Sequence, residues 1–359
     1  MLRELCVERE RWIGEDEFED AIAFTNLLPG PASSQLAILT AWRVRGTAGG
    51  LLGGLAFVLP GLVLMIGLAA LFLAEAPPSW IRGAGAGAGA VVAAVAVHAG
   101  SGLLRPSWQR ARSARAGWWA LYVALGLLAA TLAGPWVVLV LIGCGALELL
   151  RRNPPTGTRR SGTLRVDAWP LALLAATGSM VGGFGALAWT SLKVGALSYG
   201  GGFVIIPLMR SDAVDRYGWM SDARFLDAVA LGQVTPGPVV HTVSAVGYAA
   251  HGVLGAVFAA TIAFAPSFAL ILILAPRFGA LRQNDRLRAF LDGAGPAAIG
   301  AILGAAIPLA ATISQAWQAA LLVAAFVALF ALRRGVVTVL LTAGAIGAVV
   351  ALLGGPVPG

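Results

Sequence analysis

Residues 12–31 read WIGEDEFEDAIAFTNLLPGP, and residues 219–238 read WMSDARFLDAVALGQVTPGP. At a constant spacing of 207 residues, Trp12 meets Trp219, Phe18 meets Phe225, Asp20 meets Asp227, Asn26 meets Gln233, and the two Pro-Gly-Pro triplets coincide. Further on, RGAGAGA at 82–88 faces DGAGPAA at 292–298. The chain therefore reads as two homologous halves: an N-terminal repeat over 1–150, a basic linker RRNPPTGTRRSGTLRVD at 151–167, and a C-terminal repeat over 168–359. Repeats that share an interruption at the same place are a mark of transporters built from two copies of one unit.

The solvent of those repeats follows from composition. The 359 residues are 58% hydrophobic and 12% charged, with a mean hydropathy of +0.83, against roughly 25% charged in soluble domains. Apolar runs at 46–74, 83–104, 116–133, 135–150, 252–275, 293–311, 316–332 and 336–353 are of the order needed to cross a hydrocarbon core of about 30 Å. Backbone in lipid must satisfy its own hydrogen bonds, so these runs predict helices. A barrel would alternate apolar and polar residues instead. The expected fold is thus an all-α, polytopic integral membrane protein with broken helices.

The net charge of +8 is not a nucleic-acid signature, because the arginines sit in short loops, where they set orientation in the bilayer. Arg105, Arg110, Arg112 and Arg115 occupy a loop whose second-half counterpart near 312–316 is uncharged. Conversely, 277–288 holds Arg277, Arg282, Arg286 and Arg288, while its first-half counterpart near 75–82 has Glu75 and Arg82. WRVRG at 42–46 is basic and AAHG at 249–252 lacks arginine. Equivalent loops with opposite bias face opposite sides, which predicts an inverted-topology repeat. Loops 42–46, 105–116, 151–167, 276–288 and 333–334 would be cytoplasmic. Cys6 and Cys144 are isolated, and His98, His241 and His251 lack metal-ligand spacing, so neither a metal site nor a cofactor is expected. The N-terminus has no apolar core of a signal peptide.

Each Pro-Gly-Pro should split its segment, since proline removes a donor and restricts the residue before it. A half-helix beginning after Pro31 would place Ser33, Ser34 and Gln35 at its start, and one beginning after Pro238 would place His241 and Thr242 there. Such N-termini attract anions. The candidate substrate-binding set is Asn26, Pro29, Gly30, Pro31, Ser33, Ser34 and Gln35 in the first half. Gln233, Pro236, Gly237, Pro238, His241 and Thr242 form its counterpart. SLKVGALSYGGGFVIIP at 191–207 adds Lys193 (the chain's single lysine), Ser198 and Gly200, Gly201 and Gly202. An ionisable residue at membrane depth implies function, with snorkelling to the interface as the alternative. Asp20 and Asp227, at equivalent positions before the breaks, are candidates for gating or coupling. GAGAGAGA at 83–90 reads as a close-packing helix face. No catalytic constellation is visible, so a transporter rather than an enzyme is expected.

The combination LLPGPASSQLA, GLLGGLAFVLPG, SYGGGFVIIPLM and LGQVTPGPV resembles the chromate ion transporter family in its long, two-domain form, over essentially the whole chain. The resemblance implies a bacterial or archaeal inner-membrane antiporter that exports chromate, a tetrahedral dianion, and confers chromate resistance. Sulfate is the closest rival substrate and an anion channel a further alternative; protons are a candidate coupling ion, and a homodimer is left open. In the resembling family the first half opens with its own helix ending in an S-F-G-G-P-like motif. By the repeat spacing that helix would lie upstream of Met1, so the first helix of the N-terminal half is expected to be missing.

Overall fold

A computed structural model describes residues 4–25, 28, 30–74, 77–111, 116–133, 137–152, 183–198, 205–235, 237–277 and 284–357. These residues are helical with no strand among them. The first half contains α1 (Glu15–Thr25), α2 (Ala32–Phe72), α3 (Ser79–Ala90), α4 (Val92–Ala111), α5 (Ala116–Leu128) and α6 (Val137–Arg152). The second contains α7 (Gly183–Leu197), the short α8 (Ile206–Arg210), α9 (Asp222–Val234), α10 (Thr242–Leu274), α11 (Asp285–Ala311), α12 (Ala316–Phe326) and α13 (Val336–Leu352). Large apolar side chains such as Leu52, Val63, Leu132, Leu254 and Val323 are exposed; a belt of that kind belongs against lipid. The apolar runs expected from the sequence fall on helices, except that 83–104 is divided between α3 and α4 at Val91 and that 135–136 lie outside the described residues. The linker beyond Arg152 and the residues Asn26, Pro29, Gly200, Gly201, Gly202 and Pro236 lie outside the described residues, as does the side chain of Asp20.

Neither α2 nor α10 is a single rod. Arg45 (φ −139°, ψ 30°) and Gly46 (φ 57°, ψ −148°) leave helical space inside α2, and His251 (φ −147°, ψ 29°) and Gly252 (φ 62°, ψ −150°) do so inside α10. The chain doubles back there. A Cβ on Gly53 would fall 2.3 Å from the Ala41 Cβ, and one on Gly54 2.6 Å from the Ile38 Cγ1. Residues sixteen apart along one straight helix would be separated by about 24 Å. In α10, a Cβ on Gly247 would likewise meet the Gly255 carbonyl at 2.4 Å. Each element is a hairpin: a short arm from the Pro-Gly-Pro break to the glycine turn, then a long arm. The short arm, at about 1.5 Å per residue, covers about 20 Å and falls short of a 30 Å core. On its own, therefore, the short arm after each Pro-Gly-Pro is too short to span.

The repeat spacing drops from 207 at the breaks to 206 at the turns (Gly46 and Gly252). The second short arm is one residue shorter, and it opens with a 3-10 turn over Val239–His241. Three residues rising about 2 Å each match four α-helical residues rising about 1.5 Å. The tighter turn restores the depth that the deletion would have removed.

The long arms of α2 and α10 pack against each other. A Cβ on Gly50 would lie 2.9 Å from Leu272 Cδ2, and one on Gly54 2.5 Å from Phe268 Cε1. As one arm advances by four residues its partner retreats by four, so the two long arms run antiparallel. Elsewhere the halves exchange partners. Helix α3 packs on α13 and α12, whereas α11 packs on α5 and α6. The glycine stripe serves two neighbours at once: Gly83 and Gly87 face Gly347 and Ala343 of α13, while Gly85 and Gly89 face Asp227 and Leu226 of α9. Charge also bridges the exchange. Buried Glu148 of α6 accepts from Arg151 at 2.8 Å, Arg152 at 2.6 Å and Tyr122 at 3.0 Å, and Arg152 reaches Asp292 of α11 at 2.5 Å.

The contacts at the glycines leave no room for a side chain. A Cβ on Gly87 would sit 2.2 Å from the Ala343 carbonyl oxygen, and backbone cannot move as a side-chain tip can. Gly87→Leu is expected to cost several kcal/mol and to remove most of the monodisperse peak in fluorescence-detected gel filtration. Gly67→Leu, where a Cβ meets nothing within 4 Å, is expected to leave that peak intact.

Candidate binding site at the two helix breaks

Both breaks hold their glycine at a large positive φ. Gly30 has φ 118° and Gly237 φ 132°, a region that L side chains rarely adopt. The helical segments that follow start from Pro31 and Pro238, in extended conformation and without a side-chain cap. The first N–H groups of a helix have no intrahelical acceptor, and a buried start left uncapped calls for some other partner. Proline at the cap explains part of the geometry: its fixed φ is compatible with entering a helix, and its side chain offers no oxygen.

The two breaks converge on one turn of α10. The Gly30 N–H donates to the Ser198 carbonyl at the end of α7 at 2.7 Å, and a Cβ on Gly30 would lie 2.4 Å from Gln35 Nε2 and 2.7 Å from Ser267 Oγ. The His241 ring lies 5.0 Å from the ring of Phe264, three residues before Ser267. Its other side borders the main chain of Val58 in α2, without a well-formed hydrogen bond. Val58 and Phe264 are equivalent positions of the two long arms, each two residues before the proline, Pro60 or Pro266, inside its arm.

Around this point the protein buries polar groups without partners. Ser34, Ser198, Ser244, Ser267 and His241 have zero relative exposure, and the four hydroxyls and both His241 ring nitrogens make no hydrogen bond among the described residues. Gln233 Nε2 and Ser191 Oγ are in the same condition. A buried hydroxyl without a partner costs on the order of 1–3 kcal/mol, so several together mark a place where something else supplies acceptors.

The remaining sequence candidates divide. Gly30, Pro31, Ser34, Gln35, Ser198, Gly237, Pro238 and His241 belong to this region. Ser33 is exposed, one residue round the helix from Ser34. Thr242 donates back to the Val239 carbonyl at 2.8 Å, and its Oγ1 closes on Gly232. Lys193 does not point freely into the site: it is ion-paired to Asp212, which also accepts from Thr190 at 2.8 Å. Asp227 packs its carboxylate under Gly85, between α9 and α3. Asp212 and Ser267 escaped the sequence reading. Asp212 lies in MRSDAVDR, which looks like any solvated charge run. Ser267 could have been found as the residue following Pro266, the repeat mate of Pro60. Outside the spans, burial pushes the Tyr217 phenol up, and its ring stacks on Trp219 at 4.8 Å.

Fold and site together define a polytopic membrane protein whose buried polar centre is built from two broken helices. The chain belongs to the chromate transporter family, whose model matches residues 1–149 and 185–348. It is 33% identical over 334 residues to the chromate transport protein of Pseudomonas aeruginosa, covering 88% of this chain and 76% of that one. It is 32% identical over 312 residues to the chromate transport protein of Cupriavidus metallidurans (85% and 75%). An uncharacterized transporter of Methanocaldococcus jannaschii is 26% identical over 360 residues (95% and 87%). No solved structure matches the chain.

Proposed function

We propose that this protein is a secondary carrier that exports chromate across the inner membrane by alternating access and so confers chromate resistance. The observation that carries the reading is the meeting of two uncapped helix starts within one turn of α10, among fully buried hydroxyls and an imidazole that lack partners among the described residues. Helix starts aim N–H groups and positive dipole ends at an anion. Hydroxyl donors from Ser34, Ser198 and Ser267, with His241, would surround a tetrahedral dianion with hydrogen bonds. Because Asp212 already matches the charge of Lys193, neutral donors would bear most of the binding. That arrangement suits release as well as capture.

Alternating access would follow from an inverted repeat, in which the two halves rock about a central site. The antiparallel long arms of α2 and α10, together with the opposite arginine bias of equivalent loops, support inversion. Under this reading the two repeats, 1–150 and 168–359, contribute helices to both moving bodies, and Asp20 and Asp227 are the candidate groups at which protons are exchanged for the anion.

Everted membrane vesicles provide the test. Wild-type protein is expected to accumulate chromate, with excess sulfate competing. His241→Ala is expected to reduce initial uptake about tenfold or more and Ser34→Ala severalfold, at unchanged protein abundance. Both variants transporting at the wild-type rate would remove the breaks as the binding site. Single-channel currents in planar bilayers would replace the carrier with a channel.

A further inference from the structure

A cavity of about 570 Å³ opens between α4 and the turn joining α12 to α13, away from the two breaks. His98, Ser101 and Gly102 line it from one face of α4, at the i, i+3, i+4 spacing that keeps residues together on a helix. Opposite them stand Leu329, Phe330, Arg333, Arg334 and Gly335. Arg333 is held at φ 51°, an uncommon conformation for a side chain of its size. The turn needs it: Arg334 N–H donates to the Ala328 carbonyl at 2.9 Å, which closes the end of the helix. Neither arginine forms an ion pair among the described residues, and no acidic residue lines the cavity. His98 lies edge-on to Phe330 with centroids 5.4 Å apart, and its Nδ1 is buried without a partner among the described residues. Gly335 also begins α13 without a side-chain cap, adding free N–H groups next to the arginines.

From this geometry we infer that the cavity holds the phosphate group of an anionic phospholipid. The cavity is cationic where the turn meets water and apolar where Leu329 and Phe330 stand in the π-helical turn (Val327–Ala331) that continues α12. Leu332 and Val337, beside it, are exposed large apolar residues of the kind that faces acyl chains. The turn ends two membrane helices, so it lies at headgroup depth. Guanidinium groups engage phosphate oxygens through paired hydrogen bonds, and basic residues near an anionic surface add to the attraction. A free tetrahedral anion would use the arginines alone; a lipid would use both walls. The competing account is that the arginines only orient the last hairpin, and that account predicts no bound ligand.

The test uses the purified full-length chain in neutral detergent, titrated with dioctanoyl phosphatidylglycerol, dioctanoyl phosphatidylcholine or inorganic phosphate and read by native mass spectrometry and thermal shift. The wild type is expected to bind the anionic lipid at least tenfold more tightly than the zwitterionic one. Arg333→Gln with Arg334→Gln is expected to erase that preference, whereas Arg105→Gln, outside the cavity, keeps it. Gly102→Leu fills the cavity from a helix position whose Cβ would meet nothing within 4 Å, and it is expected to erase the preference without changing any charge. It also carries the test should the arginine pair be needed for insertion. Equal binding of the two lipids with stabilisation by inorganic phosphate would overturn the lipid in favour of a free anion. A preference that survives both cavity variants would overturn the site altogether.

Discussion

Replacing Gly30 by alanine is expected to abolish measurable chromate uptake while leaving much of the protein folded. Two costs coincide at this residue. Its φ of 118° is a conformation that strains any L side chain by about 1–3 kcal/mol, and the new methyl would collide with Gln35 Nε2 and Ser267 Oγ at 2.4 and 2.7 Å. Relief requires either flipping the peptide that bonds Ser198 or displacing Ser267, and both dismantle the converged site. Gly237 separates the two effects. Its φ is 132°, yet a Cβ there would only touch the His241 ring at 3.4 Å. Gly237→Ala should therefore carry the strain without the collision and lower uptake about tenfold. Initial rates in everted vesicles, normalised to protein by immunoblot, measure both. Equal behaviour of the two variants would show that backbone strain alone matters at the breaks.

Breaking the Lys193–Asp212 pair should have the largest effect on stability. With side-chain exposures of 12% and 3%, neither charge has water to fall back on, and removal of one partner from a buried pair costs about 3–5 kcal/mol. Lys193→Met is expected to lower the melting temperature sharply and to reduce yield, and Asp212→Leu likewise. The double variant, which removes both charges and substitutes apolar groups, is expected to recover most of the loss. Its transport should stay within a few-fold of wild type, since the pair sets the placement of α7 rather than contacting the anion. A double variant that melts like the wild type but moves no chromate would instead put the Lys193 ammonium on the transport path.

These expectations show which features a sequence can display. The duplicated Pro-Gly-Pro and the eight apolar runs were readable because proline and hydropathy act locally, through backbone sterics and solvent. The half-helices beginning after Pro31 and Pro238 followed from the same local rules. The doubling-back at Gly46 and Gly252 was not readable, since one glycine among many in an apolar run carries no mark of its φ. The folded geometry distinguishes it through the residues it brings into contact, such as Gly54 and Ile38. Asp212 was hidden for a related reason. Its partners Thr190 and Lys193 lie about twenty residues away, and nothing in MRSDAVDR says that one of its acids turns inward.

The exchanged packing has a consequence for how the chain is made. Helices α3 and α4 have their principal partners in α9, α11 and α13, and α5 and α6 have theirs in α11. The first half emerging from a ribosome thus has apolar helix faces, glycine-notched at Gly87 and Gly126, whose mates have not yet been synthesised. It would wait in the bilayer as a loose set of helices, held in lipid by hydropathy alone. Assembly is then a late event, a docking of two unfinished pieces rather than the completion of one half followed by the other. A chain severed between 153 and 182 and expressed as two polypeptides should behave as a heterodimer: each fragment is degraded alone, and both are rescued when produced together.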